Sequence, residues 1–514
     1  VTQPSREDFV ALARTHTVVP VWRELLADLI TPVAAFARMC PEGTPGFLLE
    51  SVEHGERWSR WSFVGRNPTA TLTARGRDVD VQGTIPEGVR LDQGMLATVD
   101  DLLGVLRSPA LDDLPPLHGG LMGYLGYDVV REVEHLPDVP EDDRGHPDAI
   151  LSVIGELAAF DHLRQHVTLI HNVVVPPGAT DEDLHAAYDS ALDALERLAA
   201  DGSQPLNEPL VEPPAPDDPL PDVTPSMSEG LFADAVETAK EHIRAGDVFQ
   251  VVLAKRFDLQ LDADPFDFYR VLRQVNPSPY MYFLRHPKAQ DGSGGLSIVG
   301  ASPEPMVQLL EGRVISRPIA GTRRRGRTDE EDRFLAAELS EDPKELAEHV
   351  MLIDLARNDV GRVVRFGTEK VDEQFVLERY SHVMHLTSQV SGELADGLTP
   401  VDVLRATLPA GTVSGAPKVR AMEIIDALEP TKRGPYAGVV GYLDFSGNID
   451  TAIAIRTMVI GDDGRASVQA GAGIVADSDP ALENKECWNK AHALLAAVPG
   501  ARRMTAARRT ARGA

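Results

Sequence analysis

A mixed α/β or α+β fold is predicted by three features of this sequence: its length, its ordinary globular composition, and the interleaving of short β-like runs with helical stripes. At 514 residues the chain exceeds one ordinary core, so it forms either two domains or one large intergrown unit. Hydrophobic residues make up 43% and charged residues 25%, away from disordered and fibrous classes.

Taken in order, residues 47–49 and 166–170 are short apolar runs that read as strands, and 181–199 carries a helical stripe. Pro205, Pro209, Pro213, Pro214, Pro216, Pro219, Pro221 and Pro225 then crowd together, which marks 203–226 as a linker. It divides an N-terminal domain, 1–202, from a second domain, 227–500. Ser226 and Glu229 have the spacing of a capping box, Phe232, Val236, Ala239 and Ile243 form one helical stripe, and Gly246 ends it. An apolar strand over 248–253 follows. The last stretch, 501–514, holds Arg502, Arg503, Arg508, Arg509 and Arg512 with little apolar content, and predicts a basic, disordered tail.

Charge narrows the function. The 79 acidic residues outnumber the 50 basic ones, giving a formal charge of -29, which repels phosphate backbones and anionic membranes and argues against nucleic acid as a partner. An anionic substrate needs a locally positive site built from Arg, Lys, helix N-termini or a cation. Cys40 and Cys487 match neither a disulfide framework nor a metal knuckle, the first residues lack the pattern of a secretory signal, and no run approaches the roughly 20 apolar residues of a membrane span. A reducing, cytoplasmic setting is expected.

Several constellations carry candidate chemistry. Gln250 is a polar residue in an apolar strand, and because leaving a buried amide unpaired costs about 1–3 kcal/mol it has a partner, either a backbone group or a substrate. Over 341–355, Pro343 suits a first helical turn and Leu346, Val350 and Ile353 give a stripe, so Glu345 and Glu348 share a face, solvated or aimed at a cation. Over 481–498, Cys487, Ala491, Leu494, Leu495 and Val498 form a buried stripe with Glu483, Glu486 and Lys490 beside it. Two Glu-x-x-Glu helices supply four oxygens to a hard cation of the magnesium type if they face one another. Between them, Gly411 and Gly415 permit tight turns before a helix opened by Pro417, a plain turn or a carboxylate cradle that includes the Thr412 hydroxyl. Arg456, Gly471 and Gly473 add a cation and close backbone approach.

Together these segments resemble the chorismate-utilising enzymes, whose branches include anthranilate synthase component I, aminodeoxychorismate synthase component I, and isochorismate and salicylate synthases. The resemblance spans nearly all of 226–498. Its ordered marks are the segments 246–253, 300–304 (Gly-Ala-Ser-Pro-Glu), 317–323 (Arg-Pro-Ile-Ala-Gly-Thr-Arg), 347–349 with 357–359, 381–385 (Ser-His-Val-Met-His), the Gly411 loop, and 483–490. The fold it implies is α+β, an α/β sandwich of two large antiparallel sheets with helices outside.

The resemblance also implies roles. Glu348 and Glu486 are expected to bind Mg2+ directly, with Glu345 and Glu483 reaching it more loosely. Gln250, Gly321, Thr322, Tyr436, Arg456, Gly471, Gly473 and Lys490 are expected around chorismate, Glu304 as general acid beside His385, and Thr412 and Lys490 as further catalytic groups. Water-adding branches hold a lysine where this chain has Gln250, and aminodeoxychorismate synthases hold a nucleophilic lysine where it has Ala320. Ammonia is therefore the expected nucleophile, attacking C2 with loss of the C4 hydroxyl, and pyruvate elimination then yields anthranilate, the first step toward tryptophan. The ammonia is expected from a separate glutamine amidotransferase subunit, in a heterotetramer of two large and two small subunits. Segments 48–51, 60–65 and 276–281 resemble the family's tryptophan feedback site, with Leu49, Glu50, Ser51, Pro279, Tyr280 and Met281 as candidate contacts; the bland alternative is a rigid turn set by Pro277 and Pro279. Two other functions fit the same residues: an enzyme that stops at 2-amino-2-deoxyisochorismate, and an inactive tryptophan-sensing protein.

Overall fold

The computed structural model describes the chain except residues 52–59, 216, 287, 289–294, 380–382 and 514, and the side chains of 344, 512 and 513. Pro216 of the linker, Ser381 and His382 of the histidine motif, and the Arg512 side chain lie outside the described residues.

Among the described residues the strands form two sheets, one of 13 strands and one of 11. Their faces meet in an apolar layer where Tyr282, Ile298 and Val459 of the larger sheet pack against Tyr124, Ile150, Val440 and Tyr442 of the smaller. The other face of the larger sheet lies under the helices Asp181–Gly202, Pro265–Val275 and Pro480–Leu495, through Leu184, Leu195, Phe268, Leu272 and Leu494. The smaller sheet is covered in turn by Met95–Val105 and Pro400–Thr407, through Val99, Leu102, Val401 and Leu404. Each such buried Leu or Phe contributes about 1.5–3 kcal/mol over leaving it in water. This is the sandwich with outer helices.

The two ends of the sequence are interwoven within it. The strand Gly46–Glu50 pairs antiparallel with Tyr280–His286, Glu50 opposite Met281. In the smaller sheet Leu121–Leu125 pairs antiparallel with Val439–Leu443. Both sheets thus take strands from either side of the Pro-rich stretch, which is itself tied down by Glu208 to Arg270 at 3.0 Å and Asp218 to Arg503 at 2.8 Å.

Local expectations are corrected at four points. The basic tail is a helix, Val498–Gly513, because small Ala501 and Thr505 let it pack and polar groups on it find partners: Thr505 donates to Asp267 at 2.8 Å and Arg508 to Asp264 at 2.7 Å. The helix Glu229–Ala245 is capped by Ser228, whose hydroxyl accepts from the Leu231 amide; Ser226 instead accepts from the Arg256 amide across the sheet. Gly246 does end that helix, at φ 84°. The following strand runs Gln250–Gln260, and Phe249 before it is exposed. In the helix Pro343–Gly361, Val350 is exposed while Ile353 is buried, so the stripe is narrower than its spacing suggested.

Candidate active site

One wall of a solvent-open cavity of about 1890 Å³ is built by two neighbouring strands. Side chains alternate across the strand Gln250–Gln260, so Gln250 and Val252 face the cavity while Val251 and Leu253 join the core with Phe232 and Val236 of the preceding helix. On the paired strand Arg465–Ile474, Gln469, Gly471 and Gly473 face the same way, Gly473 opposite Val252. A Cβ at 473 would stand 2.3 Å from Gln250 Nε2, so glycine there is what gives the amide its room. The buried amide looks into the cavity.

The opposite wall depends on a β-bulge. Ile319–Arg324 pairs with Val383–Glu393, but the register slips between Ala320 and Thr322, leaving Gly321 at φ 67° in the left-handed region. Ala320, Gly321, Thr322 and His385 thereby line the cavity together. His385 Nδ1 lies 3.2 Å from the Gly321 carbonyl and 3.0 Å from Thr322 Oγ1, and burial holds its pKa below the usual value. A neutral ring donating from Nδ1 to that carbonyl presents Nε2 as its acceptor.

Glu304 sits between the strands Leu296–Ser302 and Pro305–Leu310, 9% exposed, with its amide on Ser302 Oγ at 3.3 Å and its carbonyl accepting from the Ile453 amide at 3.1 Å. Burial pushes its carboxyl up to about 8, against the opposing pull of the Thr412 hydroxyl and the Lys490 charge. At neutral pH it therefore holds a proton. Thr412 Oγ1 shares the wall, buried and without a hydrogen bond of ordinary geometry.

The positive groups demanded by an acidic chain are here. Lys490 Nζ donates to the Gly471 carbonyl at 2.9 Å and pairs with Glu486 at 2.7 Å. Arg456, at φ 49°, is lowered from its ordinary pKa by burial, with Tyr436 and Glu486 opposing. Beneath them lies a buried pair that sequence reading missed. Arg433 bonds Glu429, the Val413 carbonyl at 2.6 Å and the Val252 carbonyl at 2.9 Å, and its guanidinium stands 5.7 Å from the Tyr436 ring. Two opposite charges four residues apart look in sequence like any exposed pair.

Glu345 and Glu348 of the helix Pro343–Gly361, and Glu483 and Glu486 of Pro480–Leu495, all border the same cavity, because i and i+3 fall on one helical face. Among the described residues no three His, Cys, Asp or Glu side chains gather tightly enough to hold a metal ion. Arg323 holds Glu345 at 2.9 Å and Lys490 holds Glu486. Four carboxylates fit a hard, oxygen-seeking divalent cation in kind; converging on one requires loosening those two ion pairs.

A second cavity, about 740 Å³, opens between the sheets. Leu49, Glu50 and Ser51 at one strand end and Pro279, Tyr280 and Met281 at its neighbour's start line it, with Trp61, Phe63, Tyr442 and Asp450. Ser51 Oγ is buried there with no partner among the described residues. Tyr280 donates to Asp450 at 3.0 Å, and burial pushes that carboxyl up to about 6. The Glu50 carboxylate is committed elsewhere, accepting from Tyr269 at 2.6 Å and Arg273 at 3.1 Å. Both cysteines are buried, with thiols pushed up to about 12, unlike an activated nucleophile.

Residues 46–496 match the chorismate binding enzyme family. Anthranilate synthase component 1 of Mycolicibacterium smegmatis is 49% identical over 97% of this chain and 94% of its own length. The protein of that name from Acetivibrio thermocellus is 44% identical over 96% of this chain and 98% of its own. The crystal structure of anthranilate synthase component I from Streptococcus pneumoniae superposes with a TM-score of 0.74 at 36% identity, covering 92% of this chain and 99% of that one.

Proposed function

This chain belongs to the chorismate-binding enzymes, and from that premise we propose that it is the aminating component of an anthranilate synthase, using ammonia and Mg2+ to convert chorismate into anthranilate and pyruvate. The observation that carries the reading is that one cavity holds a neutral buried acid, Glu304, beside cations and a carboxylate quartet, yet presents Gln250 and Ala320 where other branches hold lysine. Without a side-chain amine at either position, the nitrogen comes from free ammonia.

Arg456, Lys490, the Tyr436 hydroxyl and the Gly471 region hold the two carboxylates of chorismate. Glu304, protonated at neutral pH, gives its proton to the C4 hydroxyl as the C4–O bond breaks, while ammonia bonds to C2. His385, fixed by Gly321 and Thr322, orients that hydroxyl, and Thr412 shares the task beside Glu304. Glu348 and Glu486, with Glu345 and Glu483 near them, are the residues that would hold a divalent cation, and such a cation would supply positive charge to the ring carboxylate and draw electrons from the ring. With both cysteines buried, a separate glutamine amidotransferase supplies the ammonia, in an assembly of two large and two small subunits. Tryptophan occupying the second cavity supplies feedback inhibition, with Ser51 and the Pro279–Met281 turn as contacts.

The test mixes purified protein, chorismate, ammonium and magnesium, and follows anthranilate fluorescence and pyruvate. Equal yields of both are expected. Amination without pyruvate would mean an enzyme that stops at 2-amino-2-deoxyisochorismate, and no turnover at all would leave only a binding protein.

A further inference from the structure

Adjoining Glu304 is a third, solvent-open cavity, about 410 Å³, which shares Glu304, Leu352 and Thr412 with the large one and is otherwise lined by groups to which the reaction above gives no task. Asp359, Ser316, Arg317 and the backbone around Ala410 and Gly411 form its far side. Among the described residues two of its buried oxygens lack a hydrogen bond of ordinary geometry: Asp359 Oδ1, on a residue 7% exposed, and Thr412 Oγ1, whose hydroxyl leans on the Glu304 carboxyl. The other Asp359 oxygen pairs with Lys418 at 2.8 Å, and Lys418 also donates to the Thr407 carbonyl, so the carboxylate is anchored with one oxygen left over. Orphaned buried oxygens around a space that leaves about 40 Å³ for the centres of water molecules are the condition under which ordered water is held, since each otherwise bears the full cost of desolvation.

Glu304 needs such a connection. Each amination consumes its proton: the carboxyl O–H breaks, the C4–O bond breaks with its electron pair going to oxygen, and the two join as water. The nitrogen that bonds to C2 arrives as ammonia and sheds one proton to solvent, so the totals balance only when Glu304 takes one back. Chorismate bound in the large cavity takes up the donor side of Glu304, and the third cavity reaches the same residue through a largely separate set of lining groups.

We propose that the cavity adjoining Glu304 is a water-filled proton path, with Asp359 as its outer station and Thr412 as its inner one, that reloads the acid between turnovers. The path rests on the reading of Glu304 as the acid, and the experiment separates the two.

Rapid-quench kinetics with excess chorismate and saturating ammonium compare the first turnover with the steady state in Asp359→Asn and Thr412→Val. The enzyme starts with Glu304 loaded, so Asp359→Asn is expected to complete its first turnover within about twofold of the parent rate, while Thr412→Val, which also touches the reacting groups, is read by the ratio of its first to its later turnovers. Later turnovers then slow by up to about 100-fold, the lower range of what a positioned proton donor contributes, and the record becomes a burst of one equivalent. Thr412→Ser, which keeps the hydroxyl, should abolish the burst, and Thr412→Val still reads the inner station if loss of the Lys418 pair unfolds Asp359→Asn. Equal slowing of first and later turnovers would make both residues merely structural and overturn the path, as would unchanged steady states. Glu304→Gln should lose the first turnover itself; retention of it would defeat the acid assignment instead.

Discussion

The large cavity and the inter-sheet cavity are made from adjoining strands yet built on opposite principles. The first gathers Arg456, Lys490, Glu304 and four further carboxylates around about 1890 Å³ of open space. The second, about 740 Å³ and open to solvent, is lined largely by Trp61, Phe63, Tyr442 and Tyr280, with the Ser51 hydroxyl and the Asp450 carboxylate among its few polar points. A site that must stabilise changing charge needs preorganised dipoles and ions; a site that must recognise one aromatic molecule needs shape and a few polar groups. One short strand, Ile449–Ile453, serves both: Asp450 borders the small cavity, and the Ile453 amide holds the Glu304 carbonyl at 3.1 Å. If the two cavities divide chemistry from recognition, substitutions should separate the two functions cleanly.

The largest effect is expected at the acid. Glu304→Gln keeps size and removes the proton, so kcat should fall by about 10²–10⁴-fold, the worth of a positioned general acid, while tryptophan binding by calorimetry stays unchanged. Loss of tryptophan affinity in that variant would show that the cavities are not separable. Next comes Glu486→Gln, which removes a proposed magnesium ligand and also frees Lys490. The magnesium concentration needed for half activity should rise by at least the roughly 10–100-fold that loss of an outer ligand partner costs, with the thermal unfolding midpoint little changed. An unchanged magnesium requirement would remove Glu486 from the metal site.

The same contrast decides what the sequence disclosed. Ordered motifs singled out the residues of the charged site, and those expected to line it all border one cavity. Periodicity alone found the helix Asp181–Gly202 and the Gly246 stop, since both follow from local backbone rules. It failed where a distant partner decides: Arg503 and Arg508 look solvated until Asp218, Asp264 and Asp267 are beside them. Ser226 and Ser228 are equally good caps until the strand Gln250–Gln260 claims the first. The sandwich itself, with strands from both ends of the chain interleaved, depends on pairings hundreds of residues apart that no window of sequence contains.

Ser51→Phe should act on recognition alone. It fills part of the small cavity and deletes the orphan hydroxyl, and overpacking costs about 1–3 kcal/mol, so tryptophan inhibition should weaken about 5- to 150-fold. Turnover without tryptophan should stay within about twofold, by the fluorescence assay. Full inhibition in this variant would take Ser51 out of the effector site.

The smallest effects are those of pH, and the two cavities should titrate apart. Burial raises Glu304 to about 8, so its working, protonated form is present below that value and kcat should decline as pH rises through it. Asp450 is raised to about 6, so it is a carboxylate above that value and neutral below. Its charge is available to the ammonium of a bound amino acid only when ionised, and Tyr280 holds it in position through the 3.0 Å hydrogen bond. Tryptophan inhibition should accordingly weaken by about fourfold between pH 7.5 and 5.5, the drop in ionised fraction for a group titrating near 6. Asp450→Asn should flatten that dependence while leaving the alkaline decline of kcat in place. If the variant instead moved the alkaline limb, Asp450 would be acting on Glu304 through the shared strand, and recognition and chemistry would be one coupled device.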